Sequence, residues 1–112
     1  MQLPGAQGAI VEHRKLRDYV LNPFHPRGRH KARVFASALG IFQSDAEFLR
    51  QWLLQSALIG DAVRRESDEY GHRYVLDLEC VRGDRRAVVR SSWIVLVDEE
   101  FPRLTTCFVL SE

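Results

Sequence analysis

The spacing of apolar residues changes at Gly60, and this change constrains the fold more than any other feature of the chain. Before it, apolar residues recur every three or four positions. Leu16, Tyr19 and Val20 form one stripe, Val34, Phe35, Ala38 and Leu39 a second, and Leu49, Trp52, Leu53 and Ala57 a third. Each stripe predicts a helix with one inward face. After Gly60 the period drops to two. "HRYVLDLECV" sets Tyr74, Leu76, Leu78 and Cys80 against Arg73, Asp77 and Glu79; "RAVVRSSWIVLV" and "RLTTCFVL" repeat the pattern, and "DAVRRES" precedes them as a weaker strand. Helices first and a meander afterwards predict an α+β domain: about three N-terminal helices packed on one face of a three- or four-stranded antiparallel β-meander. The expected organisation is a single domain over residues 1–112, with residues 1–8 a loose N-terminal arm.

Local signals set the boundaries. Asn22-Pro23 should stop the first helix, because a residue before proline avoids the helical region. The second should run from near Arg29 to Gly40, which suits the left-handed position after a helix. Ser44 and Glu47 have capping-box spacing at the start of the third. In the last strand, alternation puts Leu104, Thr106, Phe108 and Leu110 on one face. If helices cover the side of Tyr74, Leu76, Trp93 and Phe108, the other side presents Arg73, Asp77, Glu79, Arg90, Ser92 and Thr105.

No apolar run approaches the ~18 residues that cross a membrane, and the first residues lack the pattern of a signal peptide. A cytoplasmic protein with no membrane partner is the expectation. Cys80 and Cys107 match no zinc spacing, and no His/Cys/Asp cluster has metal-ligand spacing, so neither metal nor cofactor is implied.

Charge is unevenly spread. Residues 12–35 carry seven Lys or Arg against two acids, a local net charge of +5 in a chain of net +1, leaving −4 for the rest. Arg27, Arg29 and Lys31 crowd a helix start, where the dipole disfavours cations by about 0.3–1 kcal/mol each. A bound anion would relieve that conflict. Gly28 would let the backbone approach it, with Arg27, Arg29 and His30 closing around it. His25, held extended before Pro26, is a candidate general acid or base. Lys31 shares the apolar face of its helix, so it either snorkels out or points into a site.

The string Asn22-Pro23, His25-Pro26, Gly28, Lys31-Ala32 and Phe35 resembles the signature of a small uncharacterised bacterial domain family. Tyr70-Gly71 with Tyr74, Arg90 with Trp93, and Pro102, Leu104 and Thr106 extend the resemblance over residues 10–110. Such domains look related to the barnase-like and endoribonuclease U-like domains of polymorphic toxins, in which helices precede an antiparallel sheet. The resemblance implies metal-independent RNA cleavage through a 2′,3′-cyclic phosphate. In that reading His25 is the acid or base, Lys31 and Arg90 stabilise phosphate charge, and Ser92 and Thr105 or Thr106 orient it. The competing reading is a non-catalytic module that uses the same basic loop for a phosphate-bearing ligand, with an acidic, antitoxin-like protein as a possible partner.

Overall fold

The computed structural model describes residues 1–110. Three helical segments precede four strands. The first, α1 (His13–Lys15), widens directly into a π-helical stretch (Leu16–Val20); α2 (Arg29–Leu39) and α3 (Ala46–Ile59) follow. The strands β1 (Ala62–Ser67), β2 (Gly71–Arg82), β3 (Arg85–Leu96) and β4 (Arg103–Val109) form one antiparallel sheet in the order β1-β2-β3-β4. This is the α+β meander that the change of period predicts, with four strands.

All the helices bury their apolar stripes on one sheet face. Phe35, Leu39, Leu49 and Leu53 are fully enclosed with Leu76, Cys80, Val89 and Trp93. Each such side chain stabilises by about 1.5–3 kcal/mol. The polar atoms in this layer are satisfied. Trp93 Nε1–H donates to Ser91 Oγ at 2.9 Å, and the Ser91 hydroxyl donates to the Leu76 carbonyl at 3.3 Å. Burial pushes the Cys80 thiol up to about 11 and the Cys107 thiol up to about 12, so both remain inert thiols.

Simple alternation fails in β4. Ser92 pairs with Thr106 and Trp93 with Leu104, so Thr105 is an extra residue in a bulge. The inside–outside pattern slips by one. Leu104 is buried before the bulge, and Cys107 and Val109 are buried after it. Phe108, expected inside, instead lies across from Arg90 on the outer face. Thr105 Oγ1 uses the irregularity to donate to the Ser92 carbonyl at 3.1 Å.

The first residues are not a loose arm. Leu3 and Ala6 are buried, and the Met1 carbonyl accepts the Ala62 N–H at 2.7 Å. Ile10 bridges Arg103 in parallel, covering the start of the β4 edge. Gly, Gln and Pro correctly signal irregular backbone here, but two apolar side chains are enough to pin it.

The helix ends follow the expected chemistry in part. Gly40 takes the left-handed conformation (φ 64°), and the Ile41 N–H reaches back to the Phe35 carbonyl. The Ser44–Glu47 capping box does not form. The Asp45 carboxylate instead accepts the Phe42 N–H at 2.8 Å and pairs with Arg82 at 3.0 Å, while Arg82 also donates to the Gly40 carbonyl. One arginine from the end of β2 thereby closes the corner between α2 and α3. Arg82 and the Phe42 N–H hold the Asp45 carboxyl below the usual carboxylate range. The stabilisation is therefore present above the unfolded value of about 3.9 and is lost as pH falls through the lower, folded value. Asp45→Ala should cost about 1–2 kcal/mol at neutral pH. Its urea midpoint should also fall less steeply under acid than that of the parent protein.

Candidate functional site

The segment from Asn22 to Gly28 is a rigid loop closed on itself. Asn22 Oδ1 accepts the Phe24 N–H at 2.9 Å, and Asn22 Nδ2 donates to the Asp18 carbonyl. His25 Nδ1 accepts two backbone donors, Arg27 N–H at 3.0 Å and Gly28 N–H at 3.1 Å. The His25 carbonyl accepts the Arg29 N–H at 3.0 Å, and the ring packs edge-on against Tyr19 with centroids 4.7 Å apart.

These bonds change the reading of the loop. The N–H groups of Arg27, Gly28 and Arg29, which sequence reasoning offered to an anion, are already taken by His25. Gly28 has ordinary helical dihedrals; its missing Cβ is explained by packing, since one built there would overlap the Tyr19 carbonyl oxygen and come 2.9 Å from the carbonyl carbon. An acceptor at Nδ1 leaves the proton of neutral His25 on Nε2, so the ring holds the loop through one nitrogen and presents a donor at the other.

Lys31 is half-buried rather than enclosed. Its Nζ donates to Tyr19 Oη at 3.4 Å and stands 5.3 Å from the centre of the Tyr19 ring. Tyr19 links His25 to Lys31, and it also lines a groove of about 550 Å³ with Glu12, Arg14, Lys15, Asp18, Thr105 and Thr106. Lys15 Nζ reaches the Thr105 carbonyl at 3.4 Å. The Thr106 hydroxyl is buried with no hydrogen-bond partner among the described residues. A second depression of about 350 Å³ continues past Lys31, lined by His30, Val34, Phe108 and Val109. Sequence reasoning missed Lys15 and Tyr19. Tyr19 reads as one more apolar position of the first stripe, and nothing in the spacing shows that its hydroxyl emerges beside α2.

Arg90 lies elsewhere. Its neighbours Val89 and Ser91 point into the core, so Arg90 projects from the outer face, away from every helix. There it makes a bidentate pair with Asp77 at 2.8 and 2.9 Å and holds that carboxyl below its usual range. Ser92 shares this outer face. Tyr19, Thr105 and Thr106 therefore line one groove at the β4 edge and His30, Lys31 and Phe108 the next, and neither Arg90 nor Ser92 lines either one.

The ion pairing differs between the two layers. Arg73, Arg82, Arg86, Arg90 and Arg103 on the sheet each meet a carboxylate, whereas Arg64, Arg65 and Arg85 meet none among the described residues. In the basic segment only Arg17 meets one, Asp18. Arg14, Lys15, Arg27, Arg29, Lys31 and Arg33 have no acidic partner among the described residues. Among those residues, too, no three His, Cys, Asp or Glu side chains cluster as metal ligands would, and no helix is long and apolar enough to cross a membrane.

Helices that cover one face of a four-stranded meander and leave a basic groove at its β4 edge define a small α+β domain class. The chain belongs to the family described as Domain of unknown function (DUF6883), which matches residues 2–111. No curated protein matches it. Among solved structures it is similar to a chain of a contact-dependent growth inhibition toxin–immunity protein complex from Klebsiella pneumoniae 342. The two share 16% identity at a TM-score of 0.65, over 90% of this chain and 99% of that one. At this identity the likeness is one of fold.

The packing of the loop is open to test by substitution. Gly28→Ala must push the loop off Tyr19 and should destabilise by about 2–4 kcal/mol, as overpacking does at a buried site. His25→Ala should cost about 1–2 kcal/mol through its two orphaned donors, and His25→Asn, which can still accept, should recover part of that loss. Thermal unfolding of the three variants gives the ranking.

Proposed function

We propose that the domain is a non-catalytic binding module of a toxin–immunity system, and that it takes a phosphate-bearing ligand in the groove between α1, α2 and β4. The observation that carries this reading is the contrast in charge pairing. Five of the sheet arginines meet carboxylates, whereas Arg14, Lys15 and Lys31 line or border the groove with none in ion-pair contact among the described residues. Glu12 and Asp18 line the same groove, so Arg14, Lys15 and Lys31 favour a small anion held at that edge rather than a long polyanion. Tyr19 and Thr106 line the same groove and His30 the depression beside Lys31, so each has a group able to add a hydrogen bond there. The fold likeness to a chain of a toxin–immunity complex supports the broader role.

The second reading is a toxin-type, metal-independent endoribonuclease. The run His25–Tyr19–Lys31 favours it, because an imidazole and an ammonium stand on either side of one phenol. Two arguments weigh against it. His25 Nδ1 is committed to the loop, and Arg90 is engaged by Asp77 in a bidentate pair and lines neither depression beside Lys31. Nuclease action would then rest on His25 Nε2 and Lys31 alone.

Inorganic phosphate followed by amide NMR separates the readings when combined with an RNA cleavage assay in the presence of a chelator. The expected outcome is movement of the Lys15, Tyr19 and Lys31 signals at millimolar phosphate, with RNA left intact. Lys31→Met should weaken phosphate roughly tenfold, a loss of about 1.4 kcal/mol, while stability holds or rises, because a half-buried ammonium is replaced by an apolar chain of similar length. Unmoved signals would remove the anion site. RNA cleavage that disappears in His25→Ala would give the function to the nuclease reading.

A further inference from the structure

A second surface lies on the other side of α2, away from the β4 groove. Pro23, Ala36 and Phe42 line a depression of about 490 Å³ between the 22–28 loop, α2 and the start of α3, and Arg29 and Arg33 stand at its rim. Phe24, next to Pro23, is 88% exposed, and Phe42 is 58% exposed.

Two features separate this patch from ordinary surface. The first is rigidity. Phe24 sits at the tip of a loop fixed by two prolines, by the Asn22 and His25 side-chain bonds, and by the packing of Gly28 on Tyr19. Phe42 is held through its N–H by Asp45. Two exposed aromatic side chains are thus carried on fixed backbone without being used by the fold, which lowers the backbone ordering cost of binding. The second is charge. The β4 groove mixes Arg14 and Lys15 with two acids, whereas this patch holds two arginines, no acid, and an apolar floor beside Phe42. That is the composition of interface hot spots.

We infer that this patch is a docking surface for an acidic protein: one that seats an aliphatic or aromatic side chain in the depression, packs on Phe24 and Phe42, and offers carboxylates to Arg29 and Arg33. Neither arginine has an acidic partner within the described chain, so the partner supplies the missing charge. The planar guanidinium favours bidentate carboxylate pairing.

The test uses the full chain in the cells that make it. A photo-crosslinking phenylalanine derivative at position 24 should join the domain to one protein of acidic net charge. With that protein purified, Phe24→Ala should weaken binding at least tenfold, and Arg29→Glu with Arg33→Glu should abolish it. Both residues are exposed, and a glutamate at position 29 suits the helix start, so the thermal midpoint should hold. Phosphate-induced NMR shifts in the β4 groove should persist in these variants, so failure of this patch is distinguishable from failure of the groove. Crosslinks to RNA or lipid only, no crosslink, or unchanged affinity in the charge-reversed variant would each overturn the inference.

Discussion

Burial of a single sheet face holds the molecule together. Leu76, Cys80, Val89 and Trp93 present that face, and every helix lays its stripe against it. The opposite face is left to manage its own charges, which it does through pairs such as Asp77–Arg90. The helices, bound by their inward sides, are free to carry unpaired cations outward. The two layers are tied by one ion pair, Arg82 with Asp45, while the cations from Arg27 to Arg33 find no acid among the described residues.

Within the helical layer the close approach of Gly28 to the Tyr19 carbonyl sets the rest. It brings the 22–28 loop down on the π-helical turn, and that turn places Tyr19 between His25 and Lys31. The same approach leaves Phe24 projecting outward and opens the depression beside Pro23. Two surfaces of different character, one mixing cations with acids and one with arginines beside aromatics, are therefore arranged by a single contact.

The architecture was legible in the sequence because periodicity reports which side of an element is buried. The stripes through Phe35 and Leu53 and the alternation through Leu76 needed no three-dimensional information. The bulge at Thr105 was hidden, because "RLTTCFVL" alternates well enough in either register. The site was legible only in its residue types. A run of His25, Gly28 and Lys31 reads equally well as an anion cradle or as a loop that binds itself. What decides is the direction of the Arg27 and Gly28 N–H groups, which point at His25 Nδ1. Arg90 was separated from Lys31 by the parity of Val89 and Ser91, and the sequence contained that parity, but it could not say which face α2 covers at that point.

The single extra residue in β4 acts as a phase shifter. Upstream of Thr105 even-numbered positions face the core, and downstream odd-numbered ones do. Any relative of this chain that lacks the insertion must carry its hydrophobic letters one step out of phase from there to the end of the strand. Two sequences of the same fold could then disagree at every downstream column of an alignment while burying the same atoms in the same places.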